Sequence, residues 1–204
     1  MGYHAATIFS MKHTVSAPTN RTISDVYSLY NRWLIPATTF YYTTAPQELQ
    51  QHTTIPEIAT ELLYTARDNA NQLAWAGIET TENGQRRVAG FTFGYPLRQT
   101  TQQSTAIMNT CLAYCHINPT QPWLWSIIAV NPHYQGHGIG TALSTEWLNC
   151  VPQDSDVVLF TPHWAHAAHT LYTKLGGYCL IEDISHIVPT MRRGMQLHIL
   201  PAPH

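Results

Sequence analysis

The sequence predicts an α+β fold: one domain over residues 1–204, with a mixed, twisted β-sheet flanked by helices. The length of 204 residues is that of one ordinary domain. An Asn83-Gly84 pair stands between two apolar runs and is a strong signal for a β-hairpin. After it, short apolar runs alternate with helical spacings of apolar residues, an order that is typical of a sheet with helices packed against it.

The first third of the chain predicts a strand and two helices. Residues 5–15 are rich in β-branched and apolar positions and indicate the first strand. A helix is expected after Thr22, and Pro36 is expected to stop it, which leaves residues 37–44 as a loop. A second helix is expected from Thr54, because a Glu three residues later completes a capping box.

The middle of the chain predicts the hairpin and a polar loop. Residues 72–80 and 87–95 are the two apolar runs around the Asn-Gly turn, and both are expected to be strands. Residues 98–110 are rich in Gln and Thr, which favours a loop. The pattern of residues 107–116 assigns no structure.

The last third predicts strands that alternate with helices. An almost wholly apolar run indicates a buried central strand, and the glycines that follow it open a helix. The expected strands lie at residues 123–130, 157–161, 178–181 and 195–200, with a helix at 164–175 that ends at two glycines.

Composition and charge exclude several classes of partner. Hydrophobic residues make up 44% of the chain, whereas charged residues make up 11%, against a typical value of ~25%. Ten Lys and Arg against 12 Asp and Glu give a net charge of -2. Because no cluster of positive charge is present, we expect no nucleic-acid partner.

Membrane and secreted proteins are also poor matches for this sequence. No apolar run approaches the ~20 residues that cross a bilayer, and the N-terminus lacks a basic segment followed by an apolar stretch. The four cysteines are scattered and form no CxxC motif. We therefore expect a cytoplasmic protein with reduced thiols and no membrane partner, and we leave a homodimer open.

The most informative segment is the glycine turn after the predicted central strand. The run Gln135-Gly136-His137-Gly138-Ile139-Gly140 leads from the strand into a helix. The first N–H groups of a helix have no partner within it, and glycines leave them uncovered, so a diphosphate would fit there. The alternative is a glycine-rich turn without a ligand.

Two motifs resemble the GNAT superfamily of acyl-CoA-dependent N-acetyltransferases. Gln135, Gly138 and Gly140 match its diphosphate-binding signature and follow the strand as they do in that family. Leu171-Tyr172, followed by Gly176-Gly177, is similar to the family's later helix. The resemblance implies a GNAT-like sheet in which two parallel strands, at 123–130 and 157–161, splay apart to bind acyl-CoA.

The resemblance also implies a role for each residue of the site. Acetyl-CoA is the expected acyl donor, with its pantetheine arm on the central strand and its diphosphate on the glycine turn. Its expected contacts are Ile128, Ala129, Val130, Gln135, Gly136, His137, Gly138, Ile139, Gly140 and Thr141. The Val130 N–H is expected to stabilise the oxyanion formed by amine attack, and Tyr172 to protonate the departing thiolate.

The sequence departs from the family pattern at two places. Ala165 stands where many relatives have an Asn that holds the cofactor, and the central strand carries no Glu to collect the amine proton. The candidate bases elsewhere are His133, His116, Glu57 and Glu61. These departures keep open a second reading, a non-catalytic acyl-CoA-binding or regulatory module.

The predicted acceptor is a primary amine on a small polar molecule. Residues 30–42 show a short likeness to the phosphinothricin-acetyltransferase branch, whose members acetylate small amino acids and related compounds. The two loops expected to wall the acceptor site, 37–44 and 98–110, contain no carboxylate, which disfavours Lys-rich peptides and aminoglycosides. Amino acids are preferred, with Arg98 or Arg32 as carboxylate partners.

Two clusters of metal-ligating residues need an explanation, and neither predicts a metal site. His163, His166 and His169 recur at steps of three, which rotate around a helix, so the outer two diverge. Cys111, Cys115 and His116 lack the second pair of ligands that a zinc site needs. We expect no bound metal.

Overall fold

One seven-stranded sheet organises the computed structural model, which describes residues 11–16, 28–50, 54–69, 72–82, 85–97, 103–119, 121–191 and 193–202. Its strands are β1 (Met11–Ser16), β2 (Ala74–Glu82), β3 (Gln85–Pro96), β4 (Trp123–Val130), β5 (Val157–Pro162), β6 (Tyr178–Ile181) and β7 (Met195–Leu200). The order across the sheet is β1-β2-β3-β4-β5-β7-β6. The helices are α1 (Ile35–Thr44), α2 (Gln47–Gln50), α3 (Ile55–Asp68), α4 (Gln103–Tyr114), α5 (Ile139–Leu148) and α6 (His166–Lys174). The predicted α+β class is confirmed.

The two central strands, β4 and β5, are parallel and separate soon after they begin. They are paired only at Trp123 with Val157 and at Leu124 with Val158, whereas the other neighbouring strands of the sheet are antiparallel. Beyond these two pairs β5 is held by β7 alone, and a gap opens between β4 and β5. This is the splayed parallel pair that the resemblance implied.

A β-bulge on β4 changes which residues face each side of the sheet. The β3–β4 register shifts between Phe93 and Gly94, where the partners on β4 pass from Trp125 to Ile127. Ser126 is therefore the extra residue. Before the bulge Trp125 faces the core beneath α5 and α6, whereas after it Ile128 does. The residues of β4 after the bulge therefore face the opposite side of the sheet from the one that they would face without it.

Two apolar cores cover the two faces of the sheet. One lies under α1, α3 and α4 and is built around Trp33, Phe91 and Phe93. The other lies under α5 and α6 and contains Trp147 and Tyr172. Full burial of such side chains contributes about 1.5–3 kcal/mol each, so both layers of helices are firmly held to the sheet.

Pro36 does not stop the first helix, so the predicted loop at 37–44 is wrong. A π-helical turn at Tyr30–Leu34 precedes α1, and the Ile35 N–H donates to the Tyr30 carbonyl, five residues back. Pro36 then occupies the first turn of α1. Within an α-helix its ring would clash with a carbonyl four residues earlier, and the wider π-turn relieves that clash. Residues 17–27, including Thr22, lie outside the described residues.

The predicted loop at 98–110 is also wrong where the structure describes it, because residues 103–110 lie in α4. Met108, Cys111 and Leu112 are almost fully buried and follow the helical spacing of three and four residues. Packing of that stripe outweighs the polar composition around it. Residues 98–102 lie outside the described residues.

The remaining predicted elements are present. The helix from Thr54 is α3, with both hydrogen bonds of its capping box, and the hairpin is β2–β3, whose Asn83-Gly84 turn lies outside the described residues. The strands of the last third match within one residue. The first strand is described only from Met11. No described helix is both long and apolar enough to cross a bilayer.

Candidate active site

A cavity of about 640 Å³ lies where β4 and β5 separate. Its walls come from the second half of β4, the end of β5, the turn before α5, the inner side of α6 and the last residues of α1. The residues that line it include Phe40, Tyr41, Thr44, Trp125, Ser126, Ile128, Ala129, Val130, Gln135, Gly136, Gly138, Ile139, Gly140, Thr141, Phe160, Thr161, Trp164, His166, Tyr172 and Lys174. Every residue predicted to contact acetyl-CoA, except His137, is among them.

The glycine turn presents unpaired backbone N–H groups to the cavity. Gly136 and Gly138 have φ angles of +79° and +77°, and an added Cβ at either would project into open space. Because L-residues rarely adopt such angles, glycine is required for this turn. The first α5 hydrogen bond runs from the Ala142 N–H to the Gly138 carbonyl, and no side chain caps the helix. The amides before it therefore form an anion-binding cradle.

Gln135 and His137 hold the turn from either side of Gly136. Gln135 Nε2 donates to the Val130 carbonyl at 3.3 Å, which ties the turn to the end of β4. A ring nitrogen of His137 lies 2.9 Å from the Gln135 carbonyl. The exposed His137 side chain does not line the cavity and contacts the turn itself, and its contact with the donor stays a prediction.

The backbone of β4 faces the gap at Val130. The next residue, Asn131, donates its N–H to the Ala89 carbonyl at 2.8 Å, on the β3 side. Because main-chain groups alternate along a strand, the Val130 N–H points the other way, toward the gap. The Ile128 N–H has the same orientation as that of Val130. The bulge at Ser126 sets this alternation, because without it both groups would point to β3.

Tyr172 lies on the α6 wall with its ring held between aromatic neighbours. It is 5% exposed, and its ring centroid is 5.6 Å from that of Trp125 and 5.8 Å from that of His198. Burial raises the pKa of Tyr172 to about 12, and a polar contact with the Thr161 hydroxyl counteracts part of the rise. No hydrogen bond of standard geometry satisfies the buried Thr161 oxygen among the described residues. Tyr172 is therefore a protonated donor at neutral pH.

His198 supports Tyr172 from below as a neutral ring. It is buried, and its ring centroid is 5.0 Å from that of His169. Burial, with a smaller effect of His169, lowers the pKa of His198 to about 4. The His169 ring is itself placed by a 3.0 Å contact between its Nε2 and the Pro162 carbonyl. Sequence reasoning missed His198, because a lone His in a strand carries no signal of its own.

None of the four candidate bases lines the cavity. The Glu57 carboxylate accepts hydrogen bonds from the backbone and side chain of Thr54, which lower its pKa and assign it to the capping box. Glu61 lies on the same helix, and His116 and His133 are exposed residues outside the cavity lining. In the described part of the chain, no Asp or Glu lines the cavity.

The predicted acceptor side of the cavity is walled by α1 and by Trp164, two residues after β5. Of Tyr41, Tyr42, Thr43 and Thr44, which belong to the predicted 37–44 wall, Tyr41 and Thr44 line the cavity. The Tyr42 hydroxyl instead donates to the Gln50 carbonyl, and the Thr43 hydroxyl to the Phe40 carbonyl.

Phe160 and Trp164 were not predicted as part of the acceptor side, whereas Phe40 belongs to the 37–44 segment that was. Phe160 and Trp164 follow the point where β5 leaves β4, and the apolar run at 157–161 marks that point in the sequence. Arg32, a predicted carboxylate partner, is paired with Glu79, whose oxygen lies 2.7 Å from the guanidinium. Arg98 lies outside the described residues.

The two clusters of metal-ligating residues do not assemble into a site. Of the residues that the structure describes, no group of three His, Cys, Asp or Glu side chains could hold a metal ion. His163 and His169 contact different backbone carbonyls, and Cys111 packs in the apolar core under α4.

Comparisons with known proteins agree with this geometry. The family model described as acetyltransferase (GNAT) domain matches residues 101–176. An acetyltransferase of the GNAT family from Staphylococcus aureus Mu50 has a similar structure, at a TM-score of 0.56 and 14% identity over 95% of this chain and 100% of that one. A GNAT superfamily phosphinothricin acetyltransferase from Sinorhizobium meliloti, solved with AcCoA, is similar at a TM-score of 0.53 and 14% identity over 93% of this chain and 88% of that one. No curated protein matches the sequence significantly.

Proposed function

The chain belongs to the GNAT superfamily, and on that premise we propose that it moves the acetyl group of acetyl-CoA to a primary amine of a small molecule. One observation carries the proposal. The anion-binding cradle, a strand edge with unpaired amides and a protonated tyrosine meet in a single cavity. A thioester of CoA needs these three partners for its diphosphate, its pantetheine arm and its sulfur.

The fit to the donor follows from the described residues. The diphosphate would accept hydrogen bonds from the N–H groups of the turn from Gly136 to Thr141, with Lys174 as the cation on the α6 wall. The pantetheine amides would pair with the backbone of Ile128 and Val130, as an added strand would. Ala165 offers no side chain to the donor, so the cradle has to supply most of the affinity.

The reaction we propose is direct attack within a ternary complex. The lone pair of the amine nitrogen forms the C–N bond, and the carbonyl oxygen becomes an oxyanion that the Val130 N–H stabilises. The C–S bond then breaks with its electrons on sulfur, toward which Tyr172 directs its hydroxyl proton. The nitrogen loses one proton to water, and the thiolate, while hydrogen-bonded by the Tyr172 hydroxyl, takes one from water, so Tyr172 stays protonated and the protons balance.

The amine must arrive without its extra proton. Because no carboxylate lines the described cavity, we infer that the neutral form of the amine is selected from solution. For a lysine-like amine with a pKa near 10.4, only about one molecule in 2,500 is neutral at pH 7. Each unit by which the amine pKa is lower raises that neutral fraction tenfold. Positioning beside the thioester then supplies most of the rate.

A second candidate function has one observation in its favour. The missing carboxylate would also suit a module that binds acyl-CoA without transferring the acyl group.

Cytoplasmic location and a homodimer stay predictions from the sequence.

Calorimetry with acetyl-CoA, followed by measurement of thiol release with a panel of amines, separates the two functions. Binding with amine-dependent release of thiol, and an acetylated product in mass spectrometry, supports the transferase. Binding with no release for any amine supports the binding module, and no binding of acetyl-CoA overturns both.

A further inference from the structure

Four aromatic side chains leave part of their rings uncovered inside the cavity. Phe40 and Tyr41 lie on α1, Phe160 lies on β5 and Trp164 follows it, and all four are only partly buried. The rings of Tyr41 and Trp164 meet with centroids 5.7 Å apart at an angle of 47°. We call Phe40, Tyr41 and Trp164 the acceptor wall. An apolar or aromatic ligand that covers such ring faces binds with a more favourable free energy.

The acceptor wall carries no charge of either sign. No Asp or Glu lines the described cavity, and its one lysine, Lys174, lies on α6. A polycation would therefore find no carboxylate in the described lining to pair with its additional charges. An amino-acid carboxylate would find no cation on the acceptor wall either, since the guanidinium of Arg32 is already held by Glu79.

Size and ring chemistry narrow the acceptor further. A cavity of about 640 Å³ has to admit the pantetheine arm as well as the acceptor, which favours a compact acceptor. Faces of Tyr and Trp also pack favourably against another ring, which favours an aromatic body on the acceptor.

We propose that the acceptor is a primary monoamine on an aromatic body, an arylalkylamine, whose ring packs on the acceptor wall. This inference rests on the proposed function and replaces the polar acceptor that the sequence suggested. A ring pair contributes a few-fold to about tenfold in affinity beyond area burial, so aromatic acceptors are selected over saturated ones of equal size.

The test measures thiol release by the purified protein with acetyl-CoA and four acceptors. They are 2-phenylethylamine, 2-cyclohexylethylamine, spermidine and a Lys-rich peptide. We expect kcat/KM, calculated on the concentration of the neutral form of each amine, to be about fivefold higher for 2-phenylethylamine than for the saturated analogue and at least tenfold higher than for the two polycations. Higher kcat/KM for the saturated analogue, spermidine or the peptide overturns the inference and leaves the proposed function standing. No release with any amine overturns the proposed function, and the inference falls with it.

Variants of the acceptor wall connect the preference to the structure. Trp164→Ala should raise KM for 2-phenylethylamine about tenfold, leave the Kd of acetyl-CoA within twofold, and be largely rescued in Trp164→Phe. Tyr41→Ala repeats the test if Trp164→Ala does not fold. Tyr114→Ala is the matched control, because Tyr114 is 66% exposed on α4 and lies outside the cavity lining. A Trp164→Ala protein whose Kd for acetyl-CoA rises as much as its KM for the amine would assign the acceptor wall to the donor and overturn the inference.

Discussion

Removal of the Tyr172 hydroxyl tests the chemistry of the site with the least disturbance of its packing. Tyr172→Phe keeps the ring between Trp125 and His198, whose centroids lie 5.6 and 5.8 Å away. Loss of the hydroxyl should leave no additional buried polar group unpaired, because the Thr161 oxygen already lacks a hydrogen bond of standard geometry. The variant should therefore fold normally and lose only the donor to the thiolate.

The size of the effect follows from the pKa of Tyr172. A value of about 12 keeps the hydroxyl protonated, but full transfer to a thiolate of pKa about 8.5 is uphill by about 5 kcal/mol. The hydroxyl thus acts chiefly by a hydrogen bond to the sulfur as negative charge develops there. A bond to a charged group contributes about 1.5–3 kcal/mol, so kcat should fall about 10- to 150-fold.

Thiol release at saturating acetyl-CoA and amine, from pH 6.5 to 9.5, measures this loss. The donor form of Tyr172 exists below its pKa, so the factor should be constant over this range, and the Kd of acetyl-CoA should stay within twofold. Tyr42→Phe is the control, because its hydroxyl donates to the Gln50 carbonyl away from the cavity. A kcat of Tyr172→Phe within twofold of wild type would refute the reasoning, as would a Kd that rises by the factor that kcat loses.

Three further predictions concern the cradle, a buried histidine and a helix cap. Gly138→Val should weaken acetyl-CoA binding about 100-fold by calorimetry, because a Val at a φ of +77° is strained and the turn would move its amides away from the diphosphate. Gly176→Val, with a similar positive φ outside the cavity, should lower stability without weakening that binding. Burial keeps His198 neutral, so the free energy of unfolding should fall by about 2 kcal/mol as the pH drops from 6.5 toward 4, a figure reduced for solvent screening. Urea denaturation should show a smaller pH dependence for His198→Gln. Thr54→Ala should cost about 1 kcal/mol of stability and leave kcat unchanged, whereas a changed kcat would restore Glu57 as a base.

The sequence predicts elements well where one local rule decides the structure. The capping box before α3 and the Asn-Gly pair of the hairpin are such rules, and both elements are present. The helix through Pro36 was missed, because its π-turn depends on how Trp33 and Leu34 pack against the sheet. Helix α4 was missed because a polar composition hid the stripe of Met108, Cys111 and Leu112. Packing of distant segments decides both cases, and no local pattern contains it.

The donor half of the candidate site is readable from the sequence for the same reason. Glycine spacing after an apolar strand places backbone amides, and it depends on residues next to one another. The acceptor half assembles from α1 and Trp164, about 120 residues apart in the chain, so only the fold brings Tyr41 against Trp164. His198 joins Tyr172 through the pairing of β5 with β7, which is equally non-local.

Because no carboxylate lines the described cavity, the proposed reaction needs an acceptor that loses its amine proton without a base from the protein. In the proposed reaction the Val130 N–H donates to the developing oxyanion, and no carboxylate of the described lining opposes that charge. A nearby carboxylate would collect the amine proton but would also repel that oxyanion. In the proposed reaction, with Tyr172 held neutral by burial and no carboxylate in the described lining, the site would stabilise negative charge on oxygen and sulfur and would leave deprotonation to the acceptor's own equilibrium. Such a site suits a single, compact amine that gains its affinity from ring packing, and it does not suit a polyamine, whose remaining charges would stay unpaired.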